Sequence, residues 1–186
     1  NDQTPPTITF IPVDITVRCG SNIPLPNTGL VMSIDSCGGT PVITVMNDDT
    51  TMMTCSNRFI VTRTYVATDA CGNTSSASQM ITVNDQTPPT ITFIPVDITV
   101  ECGSNIPLPN TGLVMSSDSC GGTPVITVMN DDTTVMTCAN RFIVTRTYVA
   151  TDACGNTSSL SQIITVDDQT GPTPPAPPAS ISYACI

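Results

Sequence analysis

Phe59-Ile60-Val61-Thr62-Arg63-Thr64-Tyr65-Val66-Ala67-Thr68, followed by Asp69-Ala70-Cys71-Gly72-Asn73, is the stretch that decides the fold. Its side chains alternate with period two. Phe59, Val61, Tyr65 and Ala67 fall on one face; Ile60, Thr62, Thr64, Val66 and Thr68 fall on the other. Such alternation marks a strand with one buried face, and the first set is the expected core. Arg63 falls among that set, where a charge needs a partner or a way out. The expected arrangement lays its stem along the core edge with the guanidinium in water. A carboxylate partner or a stacked aromatic ring is the alternative.

The same signals recur outward from this strand. Thr7–Ile11, Asp14–Arg18, Leu30–Ile34, Pro41–Met46 and Ser78–Val83 are β-branched runs. Turn clusters separate them at Cys19-Gly20-Ser21-Asn22, Pro26-Asn27-Thr28-Gly29, Ser36-Cys37-Gly38-Gly39 and Asn47-Asp48-Asp49. No segment carries a capped 3.6-residue apolar period, so essentially no helix is expected. Short strands at roughly 8–12-residue spacing predict an all-β fold, an antiparallel sandwich of immunoglobulin-like type.

The whole unit is then written a second time. Residues 1–83 recur as 84–166 with six differences: Arg18/Glu101, Ile34/Ser117, Met52/Val135, Ser56/Ala139, Ala77/Leu160 and Met80/Ile163. A period this long is a small domain rather than a solenoid turn, whose units run roughly 20–50 residues. The expected organisation is two tandem sandwiches, 1–83 and 84–166, a Pro-rich linker over 167–180 and a short strand over 181–186. Only a few residues separate Val83 from Ile91, and Pro88 and Pro89 stiffen them, whereas a Gly/Ser linker leaves domains free to tumble. Gly171–Pro178 predicts a polyproline II spacer of about 3 Å per residue. Beyond it Ile181, Tyr183 and Cys185 alternate onto one face. That strand either opens a further module or adds to a sheet in a neighbouring subunit. The chain starts at a repeat boundary without Met or a signal-like segment, and reads as a mature or excerpted piece of a longer array.

Composition excludes several function classes. Formal charge is −10, with five Arg and neither Lys nor His, so phosphate neutralisation is not available and no nucleic-acid partner is expected. No apolar run approaches the ~20 residues of a membrane span, and no basic patch suits an anionic bilayer. Nine cysteines are present, four per repeat plus Cys185. Zinc wants close cysteine pairs, usually with His, and a catalytic thiol wants a His base. An even count per small unit instead predicts two disulfides per repeat and an oxidising compartment.

Chain direction suggests how they pair. If the strand ending at Cys19 runs antiparallel to the one from Leu30 to Asp35, Cys37 sits at the end of the sandwich opposite Cys19. Cys55 precedes the long strand and Cys71 follows it. The expectation is Cys19–Cys55 and Cys37–Cys71, then Cys102–Cys138 and Cys120–Cys154, although four cysteines allow three pairings. Acidic turns such as Asn47-Asp48-Asp49 and Asn84-Asp85-Gln86 offer oxygen ligands for Ca²⁺, but lack EF-hand spacing and suit turns for backbone reasons. No glycosidase acid and nucleophile can be placed, and a Lys–Asn isopeptide is excluded for want of Lys. Asn73-Thr74-Ser75 and Asn156-Thr157-Ser158 match the glycosylation sequon.

Four pieces of the repeat, Asp2-Gln3-Thr4-Pro5-Pro6-Thr7-Ile8, Ile15-Thr16-Val17-Arg18-Cys19-Gly20, Asp35-Ser36-Cys37-Gly38-Gly39 and Thr64–Asn73, resemble the hyalin-repeat (HYR)-like modules carried in tandem by large secreted bacterial surface proteins. The resemblance covers residue 1 to about 166 and implies extracellular adhesion or spacing without catalysis. The expected function is a structural module of an extracellular filament, pilus-like fibre or stalk. The alternative is an adhesin or glycan-binding ectodomain. No enzyme activity, cofactor or metal is expected, and the expected partners are neighbouring repeats or subunits in a self-associated filament.

Overall fold

A computed structural model describes residues 2–176, with the backbone alone at residues 52, 53 and 135–137. Each repeat is built from seven strands in the same order. In the first they are β1 (Thr7–Phe10), β2 (Ile15–Val17), β3 (Met32–Ile34), β4 (Val42–Val45), β5 (Asp49–Cys55), β6 (Arg58–Thr68) and β7 (Thr74–Asn84). In the second they are β8 (Thr90–Phe93), β9 (Ile98–Val100), β10 (Met115–Ser117), β11 (Val125–Val128), β12 (Asp132–Cys138), β13 (Arg141–Thr151) and β14 (Thr157–Asp167). The fold is all-β, two immunoglobulin-like sandwiches in tandem. The described helices are three-residue 3-10 turns such as Gly20–Asn22 and Thr28–Leu30.

The sandwich is lopsided. A two-stranded sheet, β1–β3, lies opposite a five-stranded one in the order β2-β7-β6-β4, with β5 also on β6. The second repeat copies this as β8–β10 and β9-β14-β13-β11, with β12 on β13. The long hairpin is the frame: β6 and β7 pair antiparallel from Arg58↔Asn84 to Thr68↔Thr74. Its turn needs a residue at positive φ, which Gly72 supplies at 87° without the clash a Cβ brings. Val61, Tyr65 and Ala67 from β6 meet Ile81 and Val83 from β7 in the core, each 3% exposed or less. Of the face assigned from the alternation, Val61, Tyr65 and Ala67 are buried and Phe59 is half-buried.

Three expectations need correction. The strand before Cys19 is not a neighbour of the strand after Leu30. β3 pairs with β1, while the chain crosses between sheets near Pro12 and β2 runs parallel to β7, from Ile15↔Ile81 to Val17↔Val83. β5 falls where the sequence places only the turn Asn47-Asp48-Asp49 and no strand. It is held instead by its ladder to β6 over Asp49↔Thr62 to Met52↔Phe59. Arg63 does not escape to water. It is 2% exposed, and Nε and Nη2 donate to the Asp48 carboxylate at 2.9 and 2.7 Å while Nη1 donates to Pro24 O at 2.8 Å. Three fixed acceptors satisfy the planar guanidinium, the form in which a buried charge is tolerated. Arg146 repeats the arrangement on Asp131 and Pro107 O.

Candidate functional site at the joint between the repeats

β7 ends at Asn84 and β8 begins at Thr90, leaving residues 85–89 between the repeats. The four strand ends and turns around this segment bring four cysteines together in two pairs. Cys19, which caps the Gly20–Asn22 turn, bonds to Cys120 with Cα atoms 5.0 Å apart. Cys55, at the tip of the β5–β6 hairpin, bonds to Cys154 with Cα atoms 5.2 Å apart. Both distances lie in the range a disulfide requires. Cys37, Cys71, Cys102 and Cys138 are free thiols.

The disulfide expectation is thereby corrected, and the correction is specific. Placement at the ends was right: Cys19 and Cys55 share one end of their sandwich, and Cys120 and Cys154 share the opposite end of theirs. Pairing was wrong. None of the expected Cys19–Cys55, Cys37–Cys71, Cys102–Cys138 and Cys120–Cys154 bonds forms: because the tips of one repeat meet those of the next, Cys19 and Cys55 bond to Cys120 and Cys154, and the other four cysteines stay free. Translation by one repeat length carries Cys37 onto Cys120 and Cys71 onto Cys154. The bonds close segments of 101 and 99 residues, each worth up to about 4.7 kcal/mol in the chain-entropy model. The two loops overlap, so these figures do not add.

Polar contacts fill the joint between the disulfides. Asn57 Oδ1 accepts from Gly20 N–H at 3.4 Å, and its Nδ2 donates across the joint to Cys120 O at 3.2 Å. Its carbonyl accepts from Asp85 N–H at 3.0 Å. Arg58 Nε donates to Asn84 Oδ1 at 3.2 Å, and Nη2 donates to Asp85 O at 3.0 Å. That carbonyl also accepts from Asn156 Nδ2 in the second repeat, at 3.3 Å. Asp85 is 2% exposed and its Oδ1 caps Thr87 N–H at 3.0 Å. Pro89 is buried and Pro88 exposed. The linker is therefore fixed by hydrogen bonds to both repeats as well as by its prolines.

Acidic groups gather at the same end of each repeat. Ligand atoms of Asp85, Asp118 and Cys120 lie within 4.8 Å of one another, as do those of Asp2, Asp35 and Asp69. Cys120 is committed to its disulfide, which removes a thiolate ligand from the first group. Asp69 serves the hairpin turn: Oδ1 accepts from Cys71 N–H and Asn73 N–H at 2.9 and 2.8 Å, and Oδ2 from Asn73 Nδ2 at 2.7 Å. The Asn73 side chain, then these backbone donors, hold its carboxyl below the ordinary aspartate range. The Asp2 carboxylate, which accepts from the thiol, pushes Cys37 above the ordinary thiol range.

Each repeat also carries a shallow groove of about 210 Å³, between Pro12, Pro24, Leu25 and Leu30 in the first and Pro95, Pro107, Leu108 and Leu113 in the second. Leu25 and Leu108 stand almost fully exposed beside them. Among the described residues no helix is long and apolar enough to cross a membrane. The expected intersubunit residues Ile181, Tyr183 and Cys185 lie outside the described residues. Sequence reading placed Asp85 in the linker but gave it no contact there, and it missed Asn57 and Arg58 as joint residues. Their signal was positional, since all three flank the cysteine-bearing hairpin tip and the linker.

The family comparison agrees with a module of this type. Residues 90–166 match a family model described as "HYR-like domain with 4 cysteines". Those residues lie within the second repeat, and its four cysteines are matched one for one in the first. Among solved structures the chain is similar to the crystal structure of Drosophila N-cadherin EC1-4, at 14% identity and a TM-score of 0.38. The alignment covers 87% of this chain and 49% of that one, so the chain spans about half the length of that protein. No curated protein matches the chain.

Proposed function

We propose that this chain is a structural module of an extracellular filament, pilus-like fibre or stalk, carried on a bacterial surface and built from tandem disulfide-stabilised sandwiches. The observation that carries the reading is the pair of disulfides across the joint. A binding domain on a flexible tether has no use for two covalent staples that fix its angle to the next copy; a shaft does. Two bonds rather than one suppress rotation about the joint as well as separation. Disulfides at this density belong to an oxidising compartment, which supports an extracellular location. Near-identity of the two repeats supports the same reading, because loops that recognise a ligand diversify, and here the turns are copied almost letter for letter. Apolar side chains exposed at equivalent places, Phe10, Val13 and Met32 in one repeat and Phe93, Val96 and Met115 in the other, give such a shaft a periodic surface for lateral packing.

A second reading, an adhesin or glycan-binding ectodomain, draws on the groove beside Leu25 and its copy beside Leu108. Negative-stain microscopy of purified protein at low concentration separates the two. Discrete filaments with a module-sized axial repeat are the expected result. Monomeric rods that bind a glycan array, with binding lost in Leu25→Asp, overturn the shaft and establish the adhesin.

A further inference from the structure

The two outer ends of the molecule carry the two halves of the joint. Cys37 and Cys71 stand at one end, with the surroundings that Cys120 and Cys154 have at the joint. Asp2 answers to Asp85, Asp35 to Asp118 and Asn73 to Asn156. The Asn73 Nδ2 contact to Asp2 O, at 3.3 Å, matches the Asn156 contact to Asp85 O. Cys102 and Cys138 stand at the other end, answering to Cys19 and Cys55, with Asn140 and Arg141 in the places of Asn57 and Arg58.

Burial differs at all four cysteine pairs, at Asp2 against Asp85 and at Asn140 against Asn57, and always in the same direction. Cys19 and Cys55 are buried at 3% and 8%, whereas Cys102 is half-buried and Cys138 exposed. Cys120 and Cys154 are half-buried, whereas Cys37 and Cys71 are exposed. The residues are the same, and the outer ends lack what covers their counterparts at the joint. The four outer cysteines remain separate thiols rather than pairing within an end.

We infer that each outer end is a docking face for a second copy of this chain, joined head to tail by the bonds Cys102–Cys37 and Cys138–Cys71 between copies. This deepens the fibre reading and rests on it. The argument is complementarity already realised once: the bonds Cys19–Cys120 and Cys55–Cys154 show that these two faces fit, and the outer faces carry the same residues. Because the faces differ from each other and do not close a ring when stacked along one axis, the contact propagates. In each bond the Sγ atoms of two thiols join and two S–H bonds break. A small-molecule disulfide such as oxidised glutathione accepts the two electrons and two protons, and its own S–S bond breaks to give two thiols. Asp168 N–H donates to Asn140 O at 3.1 Å, as Asp85 N–H donates to Asn57 O at the joint.

The test uses the whole chain carrying Cys185→Ser, so that the ninth cysteine cannot contribute. Incubated in a glutathione redox buffer, it is expected to give a ladder of multimers on non-reducing gels. Peptide mapping is expected to find Cys102–Cys37 and Cys138–Cys71 in every rung, with the internal bonds retained. Adding excess Cys102→Ser/Cys138→Ser chain, which presents only one competent face, should cap the ladder at short lengths. Circular dichroism of that variant checks that it is folded. Absence of a ladder, or mapped Cys37–Cys71 and Cys102–Cys138 bonds within one copy, overturns the inference. Filaments that still form when all four outer cysteines are serine overturn the covalent junction and leave the fibre reading standing. A correctly bonded ladder that never yields regular filaments under the microscope supports the junction and overturns the fibre reading.

Discussion

The joint and the outer ends are the same surfaces in two conditions. At the joint, Cys55 and Asn57 are covered and bonded; at the outer end their counterparts Cys138 and Asn140 are exposed. The local sequence distinguishes them only at Arg18/Glu101, Met52/Val135, Ser56/Ala139 and Asn84/Asp167. The difference teaches that the module's interior is self-sufficient while its ends are written for a neighbour. Each sandwich has a complete core without a disulfide inside it, and Cys19, Cys55, Cys120 and Cys154 are spent on connection.

The largest effect should come from opening the joint. Replacing Cys19, Cys55, Cys120 and Cys154 with serine removes two links, each worth up to about 4.7 kcal/mol in the entropy model. Both sandwiches should keep their β-sheet circular dichroism while the melting temperature falls. Small-angle scattering should show a broadened distribution of inter-repeat distances. A scattering profile identical to the parent would mean that the disulfides merely decorate a joint held by Asn57, Arg58 and Asp85.

Next in size are the interiors. Asp48→Ala leaves the Arg63 guanidinium buried without its carboxylate and should destabilise the first repeat by about 3–5 kcal/mol. Asp131→Ala should do the same to the second. Equal losses in calorimetry confirm that the interiors do not sense which end is capped; unequal losses would show the joint reaching into the cores. Arg63→Met, which removes the charge as well, should cost less than Asp48→Ala.

Smaller still is the linker. Pro88→Gly with Pro89→Gly raises the entropy of the unfolded chain by roughly 0.4–1 kcal/mol per site. In the oxidised protein the maximum dimension from scattering should barely change. After reduction of the joint disulfides it should shorten. A large change before reduction would assign the geometry to the prolines rather than to the staples.

The smallest effect concerns reactivity at an outer end. Asp2 raises the Cys37 pKa, so at a given pH less Cys37 is thiolate than in an ordinary exposed cysteine, and thiolate is the reactive form. Asp2→Asn removes the anionic acceptor, lowers that pKa and should speed alkylation of Cys37 by iodoacetamide several-fold near pH 8. The gain should shrink at higher pH, where both forms are already ionised. An unchanged rate would show that Asp2 does not face the thiol in solution.

Much of the fold was legible in Phe59–Asn73, because period-two alternation and a turn with glycine report directly on a half-buried strand and its hairpin. β5 was not, since its ladder to β6 rather than its own apolar pattern keeps Asp49–Cys55 extended. Arg63 was placed on the correct face but with the wrong outcome. Its partner Asp48 lies fifteen residues away on a turn, and sequence separation says nothing about whether a carboxylate closes over a guanidinium. The cysteines show the limit most clearly. Their placement at opposite ends follows from strand direction within one repeat, but their partners belong to another repeat, and no reading of a single unit distinguishes a bond across its end from one along its axis.

The parallel pairing of β2 with β7 has a mechanical consequence. When a repeat is pulled by its two termini, β2 is drawn one way and β7 the other along their shared direction. The hydrogen bonds at Ile15↔Ile81, Thr16↔Thr82 and Val17↔Val83 are then loaded together in shear rather than peeled one at a time. Between repeats the Cys19–Cys120 bond carries tension from the end of β2 straight into the second repeat, so in the oxidised protein the β2–β7 patch is bypassed and it bears load only after reduction. Force spectroscopy of the reduced protein should record the same rupture force for both repeats, and in the oxidised protein the segment between Cys19 and Cys120 should add no contour length.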